Sequence, residues 1–171
     1  AIVINKIDGE NVDLAGLLSQ VQESFGNACR PLNLPTDGGK GVIDCFANDS
    51  GSADVGDVAD AHTQLVENIV ESDEEMMEAY LGGEEIPADK LQTAFASAMI
   101  EGALVPILFT SAKSEIGVAE VMDAITKYFP SPADMTLAPC LSGEGDDAEE
   151  IAIEPDAGKP FVGHAFKIAT D

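Results

Sequence analysis

Two apolar runs, each followed closely by a short polar motif, constrain the fold of this chain more than any other feature. Residues 1–4 read Ala-Ile-Val-Ile, and residues 104–109 read Leu-Val-Pro-Ile-Leu-Phe. Both runs are short and uncharged, which is typical of strands buried on both faces of a parallel sheet. The first is followed by Asn5-Lys6-Ile7-Asp8 and the second by Ser111-Ala112-Lys113. Open α/β sheets bind ligands where parallel strands end, so we expect the two motifs to lie close together.

The side chains of these motifs suit recognition of guanine. A carboxylate such as Asp8 can accept both the N1–H and the N2 amino group of guanine, whereas adenine would leave that acid unpaired. Asn5 can brace the loop and reach the base edge, and the stem of Lys6 can cover the base plane. The N–H of Ala112 can donate to guanine O6, and Ser111 can hold the Asp8 loop. Asn-Lys-x-Asp alone is also compatible with a capped turn, but the strand before it and the second motif favour the guanine interpretation.

The residues that hold phosphate and Mg²⁺ in a GTPase are missing from this pattern. A phosphate loop reads G-x-x-x-x-G-K-[ST], whereas residues 38–41 read Gly-Gly-Lys-Gly without the upstream glycine or the final hydroxyl. We interpret residues 38–41 as a turn. Asp13–Gly16 has the spacing of a D-x-x-G switch but falls within a predicted helix. We therefore predict no catalytic residue and no metal ligand, no GTP hydrolysis and no tight GTP binding by this chain.

The charge of the chain restricts its partners. It carries 32 acidic and 8 basic residues, for a formal net charge of −24. Nucleic acids and anionic membranes need positive protein surfaces, so we expect neither as a partner. Three widely spaced cysteines with no C-x-x-C motif indicate reduced thiols, and no apolar run is long enough to span a bilayer. A cytoplasmic protein is expected.

Apolar periodicity and turn residues predict the remaining elements. Helical spacing predicts helices at about 12–26, 58–81, 87–101 and 118–129, and proline-bounded residues 31–35 predict an edge strand paired with 42–47. Residues 133–158 are acidic and without a base, which indicates a partly disordered linker. Phe161–Ala169 alternates like a strand.

One side of the long predicted helix is acidic. Its glutamates recur at helical spacing and are Glu67, Glu71, Glu74 and Glu78. Such a row is either a solvated face or a docking ridge for a basic partner, where charge would mainly raise the association rate.

Several segments together resemble bacterial translation elongation factor G, and the resemblance covers nearly the whole chain. They read KGVIDCF (40–46), ESDEEMMEAYLGGEE (71–85), EGALVPILFTSAK (101–113), GVAEVMDAITKYFPSP (117–132) and PFVGHAFKIATD (160–171). The resemblance implies an α/β fold: a partial P-loop GTPase sheet of two parallel strands with following helices, carrying an α+β insert subdomain called G′. The implied organisation is GTPase domain at 1–28 and 102–132, insert at 29–101, acidic linker at 133–158, and first strand of a β-barrel domain at 159–171.

The family resemblance also implies a function for the parent protein, of which this chain would be a fragment. Such a parent couples GTP hydrolysis to ribosomal translocation or recycling, with GTP or GDP as cofactor and Mg²⁺ held elsewhere; neither is expected bound to this chain. Asn5, Lys6 and Asp8 correspond to the first guanine motif, and 111–113 to the second. The acidic helix would meet the ribosomal stalk protein. Alternatives are a stalk-binding module without nucleotide function, or a fragment of a release-factor or ribosome-protection GTPase.

Overall fold

The two apolar runs are neighbouring strands of a three-stranded parallel sheet. The computed structural model describes residues 1–84, 86–135, 137–143, 148–159, 161–163, 165 and 167–169. It forms two compact units, Ala1–Phe129 and Pro130–Asp171. The sequence-based prediction of an α/β fold is confirmed at this level.

The described part of the first unit consists of five short strands and five longer helices. In chain order they are β1 (Ile2–Ile4), α1 (Leu14–Phe25), β2 (Cys29–Pro31), β3 (Asn33–Thr36), β4 (Gly41–Asp44), α2 (Val58–Val70), α3 (Glu74–Leu81), α4 (Ala88–Glu101), β5 (Val105–Phe109) and α5 (Val118–Tyr128). The parallel sheet has the order β1-β5-β2, while β3 and β4 form an antiparallel hairpin. Asp13, Asp57 and Asp73 cap α1, α2 and α3, since each carboxylate accepts an N–H of the first turn.

The described sheet contains a parallel strand that the sequence analysis did not predict. β2 pairs with β5 through Cys29↔Val105 and Pro31↔Ile107, so the first residues of the predicted 29–101 insert belong to the main sheet. The charged Arg30 between Cys29 and Pro31 interrupts the apolar pattern, which is why the sequence did not predict this strand. Arg30 donates to the side chains of Gln64 and Asn68 on α2, at 3.1 and 3.0 Å, and is thereby accommodated in a sheet flanked by a helix.

The edge strand β1 is less covered than its sequence suggested. Val3 is 50% exposed, whereas Ile2 and Ile4 on either side of it are partly buried. The prediction that β1 is buried on both faces is therefore wrong, because the face that carries Val3 is half exposed.

The predicted long helix at 58–81 is two helices. α2 ends at Val70 and α3 begins at Glu74. Between them the Ser72 hydroxyl donates to the Ile69 carbonyl at 2.8 Å, and Asp73 accepts from the Met76 N–H at 3.0 Å. Such side-chain bonds replace backbone helix bonds, which interrupts the helix although the apolar stripe continues across the break.

The core joins the hairpin to the helices through three aromatic rings. Phe46 follows β4, Phe95 lies on α4 and Tyr128 ends α5; their ring centroids are 4.8 to 5.5 Å apart. Phe95 is fully buried. The sequence between β2 and β5 is thus packed on the same core as the last helix of the unit.

The second unit contains structure within the predicted linker. β6 (Cys140–Ser142) and β7 (Glu149–Ile151) pair antiparallel. The sequence analysis predicted a partly disordered linker at 133–158 and did not predict these two strands. The predicted strand Phe161–Ala169 is not found at its described residues, which are 161–163, 165 and 167–169. Residues 160, 164, 166, 170 and 171 lie outside the described residues. No helix in the described part of the chain is long and apolar enough to cross a membrane.

Candidate functional site

The two predicted motifs meet where β1 and β5 end. Ile4 is opposite Phe109 in the parallel register. Beyond that pair, the Thr110 N–H donates to the Ile4 carbonyl at 2.9 Å, and the Ile7 N–H donates to the Thr110 carbonyl at 3.2 Å. Segments far apart in sequence are therefore hydrogen-bonded neighbours.

The side chain of Asn5 joins the two motifs directly. Its Oδ1 accepts the Ala112 N–H at 3.0 Å and the Lys6 N–H at 2.8 Å. Lys6 adopts a left-handed backbone conformation with φ of 67°, which non-glycine residues rarely do, and it turns the chain toward Asp8. The predicted bracing role of Asn5 matches this geometry. The Ala112 N–H predicted for guanine O6 is, however, already donated to Asn5.

Asp8 is exposed beside two hydroxyls of the second loop. Ser114 Oγ donates to its Oδ2. Contacts with Ser111, and next with Ser114, hold the pKa of Asp8 below its usual value, with a smaller contribution from the positive charge of Lys113. The buried Ser111 Oγ meets no partner in good hydrogen-bond geometry, so we attribute its influence to proximity. The Asp8 carboxylate is thus ionised at neutral pH and acts only as an acceptor.

The second loop is closed by its own hydrogen bonds. Ser111 and Ile116 exchange two backbone bonds at 2.8 and 3.1 Å, and the Thr110 hydroxyl donates to the Ile116 carbonyl at 2.7 Å. Ala112 and Lys113, between these anchors, are exposed. Ser114 was missed by sequence reasoning, although a hydroxyl three residues after Ser111 in a tight loop is a signal that could have found it.

Residues 38–40 lie in a turn, as interpreted from the sequence, and Gly41 begins β4. The N–H groups of Gly38 and Gly39 donate to the Asp54 carboxylate at 3.0 and 2.9 Å. A phosphate loop needs such backbone donors free for phosphate oxygens. Here a carboxylate of the chain itself occupies them.

The predicted row of glutamates is divided between two helices. Glu67 lies on α2, Glu71 directly follows it, and Glu74 and Glu78 lie on α3. All four are exposed. The structure therefore gives an acidic surface across the α2–α3 junction rather than a ridge along one helix.

A groove of about 660 Å³ lies apart from the two motifs. It is bordered by α3, α4 and the residues between them, including Met76, Ile86 and Lys90. None of the predicted site residues lines it. Among the described residues, no cluster of three or more His, Cys, Asp or Glu side chains could hold a metal ion.

Comparison with known proteins gives a structural relative but no family assignment. No family model matches this chain. Its structure is similar to the crystal structure of a Thermus thermophilus protein described only as ttk003000868, with a TM-score of 0.65 and 31% sequence identity. The match covers 81% of this chain but only 23% of the Thermus chain, so this chain spans less than a quarter of that protein's length. The chain is therefore similar to one part of a larger α/β-containing protein.

Proposed function

We propose that the β1 and β5 loops form the guanine-recognition half of a GTP-binding site, in a chain that is part of a translational GTPase resembling elongation factor G. The observation that carries the proposal is the Asn5–Ala112 hydrogen bond, which joins the two motifs at the ends of neighbouring parallel strands. Asp8 stands exposed and ionised beside this bond, as a bidentate acceptor for guanine must.

Each motif residue has a distinct task in this proposal. Asp8 accepts the N1–H and N2 amino group of the base, and the Lys6 stem covers the base plane. The Ala112 N–H turns from Asn5 Oδ1 to guanine O6, or shares its hydrogen between them. The Ser114 hydroxyl keeps the Asp8 carboxylate oriented, and Ser111 holds the second loop in place through its backbone bonds to Ile116.

This chain supplies base recognition and no hydrolysis. The GTP phosphates and Mg²⁺ would be held by other parts of the parent protein, and those contacts provide most nucleotide affinity in such folds. We therefore expect weak binding of guanine nucleotides by the isolated chain, with Kd on the order of 1 mM, which corresponds to about −4 kcal/mol. A Kd below about 1 μM, or about −8 kcal/mol, would contradict this division of labour.

A comparison of mononucleotides tests the proposal. In amide NMR titrations, GMP should shift the Ala112 and Asp8 signals, whereas AMP should leave them in place. Asp8→Asn replaces one acceptor oxygen by an amide donor, which fits the 2-carbonyl of xanthine instead of the 2-amino group of guanine. Preference should therefore change from GMP to XMP. Equal shifts with GMP and AMP, or shifts outside both loops, would refute guanine recognition.

A second candidate function is docking of a basic protein on the acidic surface across the α2–α3 junction. All four glutamates of this surface are exposed, and the chain has a net charge of −24, so a basic surface would be attracted. We propose the ribosomal stalk protein as this partner, within the ribosome-bound parent. Glu71→Lys should weaken binding of the stalk C-terminal domain, while Glu120→Lys, an exposed control on α5, should not. Equal effects of both variants would leave only a non-specific role of net charge.

A further inference from the structure

The turn of the β3–β4 hairpin lies against the loop that carries Asp8. Gly39 has φ of 76°, and a Cβ added there would lie 2.2 Å from the Ile7 carbonyl oxygen and 3.3 Å from the Asp8 N. Backbone therefore meets backbone at this point, with no room for a side chain. Ile7 is itself buried, so the loop cannot move away without opening the core.

The turn is held rigidly in this position. Asp54 accepts the N–H groups of Gly38 and Gly39, and its own N–H donates to the Pro35 carbonyl at 2.7 Å. Three hydrogen bonds thus tie Asp54, which lies in the loop after β4, to β3 and to the turn. A displacement of the hairpin would carry Gly39 with it.

The same hairpin also holds the strand that leads into the second loop. The Asn33 side chain donates to the Phe109 carbonyl at 3.1 Å and accepts the Phe109 N–H at 2.6 Å. Beyond Phe109, Gly117 leaves no room for a Cβ, which would lie 2.6 Å from the Phe109 carbonyl oxygen and 3.3 Å from Val42 of β4. The hairpin thus contacts the base of both candidate guanine loops.

We propose that the β3–β4 hairpin sets the separation of the two guanine loops, with Gly39 positioning the Asp8 loop and Asn33 positioning the loop after Phe109. This inference rests on the proposed guanine site and adds a route by which the segment between β2 and β5 controls it. Gly39 and Asn33 are positioning residues, since neither belongs to the base-recognition motifs. A force on the hairpin would change the fit of guanine without touching the base.

Two neighbouring glycines provide a matched test. Gly38 and Gly39 share a positive φ and a hydrogen bond to Asp54, but a Cβ at Gly38 meets nothing within 4 Å. Gly38→Ala and Gly39→Ala therefore impose the same backbone strain, and only the second pushes against Ile7. We expect Gly39→Ala to weaken GMP binding about tenfold or more and Gly38→Ala to change it less than about twofold.

A second readout separates this inference from the proposed function, because it needs no nucleotide. Carboxyl ¹³C NMR titration reports the pKa of Asp8, which the hydroxyls of the second loop hold low. Gly39→Ala should return this pKa toward 3.8, while Gly38→Ala should leave it low. If wild type binds no GMP, the guanine proposal fails. If wild type binds GMP and the two variants behave alike in both readouts, positioning by the hairpin is refuted.

A milder variant covers the case in which Gly39→Ala does not fold. Asp54 is exposed, so Asp54→Ala should fold while releasing both turn N–H groups. It should move the Asp8 and Ala112 amide signals, whereas Asp49→Ala, at another exposed position of the same loop, should not. Unchanged signals in folded Asp54→Ala would also overturn the proposal.

Discussion

Replacement of Asn33 by leucine should destabilise the first unit strongly, although it puts an apolar side chain into an apolar core. Along β5, alternate residues bond to opposite sides: Thr110 bonds to β1, whereas Val105 and Ile107 bond to β2 and its flanks. Phe109 falls on the β2 side, but the chain has already turned away at Leu32. The amide of Asn33 replaces the absent backbone and bonds both polar groups of Phe109.

The magnitude follows from these two bonds. Asn33 is 1% and Phe109 0% exposed, so water cannot replace the lost partners. Each unsatisfied buried group costs about 1–3 kcal/mol, or about 2–6 kcal/mol for both. Burial of the leucine methyls recovers about 1–2 kcal/mol. We expect a net loss of about 3 kcal/mol, which lowers the Tm by about 10 °C for a unit of this size.

Urea unfolding followed by circular dichroism measures this loss, with Asn48→Leu as the control. Asn48 is exposed and bonds only to the Asp44 carbonyl at 2.8 Å, so its replacement should cost less than about 1 kcal/mol. Hydrogen exchange at the Phe109 amide should also accelerate in Asn33→Leu. If the free energies of unfolding of the two variants lie within about 0.5 kcal/mol of each other, the idea that the Asn33 side chain replaces a neighbouring strand at Phe109 is refuted.

Three further predictions concern the core, the thiols and the site. Phe95→Ala should cost about 3–5 kcal/mol in urea unfolding, because the fully buried ring stacks in the aromatic cluster. Burial, and then the charge of Asp44, raises the pKa of the Cys45 thiol to about 12, so at pH 8 Ellman's reagent should label the exposed Cys140 and leave Cys45 unlabelled until unfolding. Ser114→Ala should raise the pKa of Asp8, measured by ¹³C NMR titration. Because the pKa of Asp8 is lower in the folded state, ionised Asp8 stabilises the fold above pH 3.8, and this stabilisation is lost as the pH falls through the pKa of the folded state.

Each of these has an internal control. Phe25→Ala removes a ring that is 69% exposed and should be nearly neutral. Labelling of Cys45 as fast as Cys140 would show that the thiol is accessible. Ser50→Ala removes an exposed hydroxyl that donates to a different aspartate, so it should leave the Asp8 pKa where it is.

Local patterns in the sequence were sufficient where one physical signal dominated. The apolar runs before Asn5 and Ser111 predicted the pairing of the two loops, and α1, α4 and α5 lie close to the predicted helices. The break at Ser72-Asp73 was missed because the apolar stripe outweighed a local capping signal. β2 was missed because Arg30 interrupts its apolar character, and its partners on α2 are invisible in sequence.

The residues that position the two loops, Asn33 and Gly39, could not be predicted from the sequence, and the reason is different. Asn33 and Gly39 lie far in sequence from the loops they contact, and nothing in their own neighbourhood marks them. A buried asparagine bonded to a strand backbone, and a glycine needed for a close approach, are recognised only when the partner is known. Asp8 and Ala112 follow from motif chemistry, whereas what holds them in place follows from the fold.

The adjacency of β2 and β5 bears on how this part of the molecule can change in length. Cys29 lies opposite Val105, so the chain leaves the sheet and returns to it on strands about 5 Å apart. The entropic cost of closing a loop rises slowly with its length, so insertion or deletion of residues between α2 and α4 should change the free energy of unfolding little. The hairpin at the start of the same segment does not tolerate such changes in length, because its shortening would remove Asn33 from the N–H and carbonyl of Phe109. Variation in homologous chains should therefore concentrate around α3, while the hairpin keeps its length.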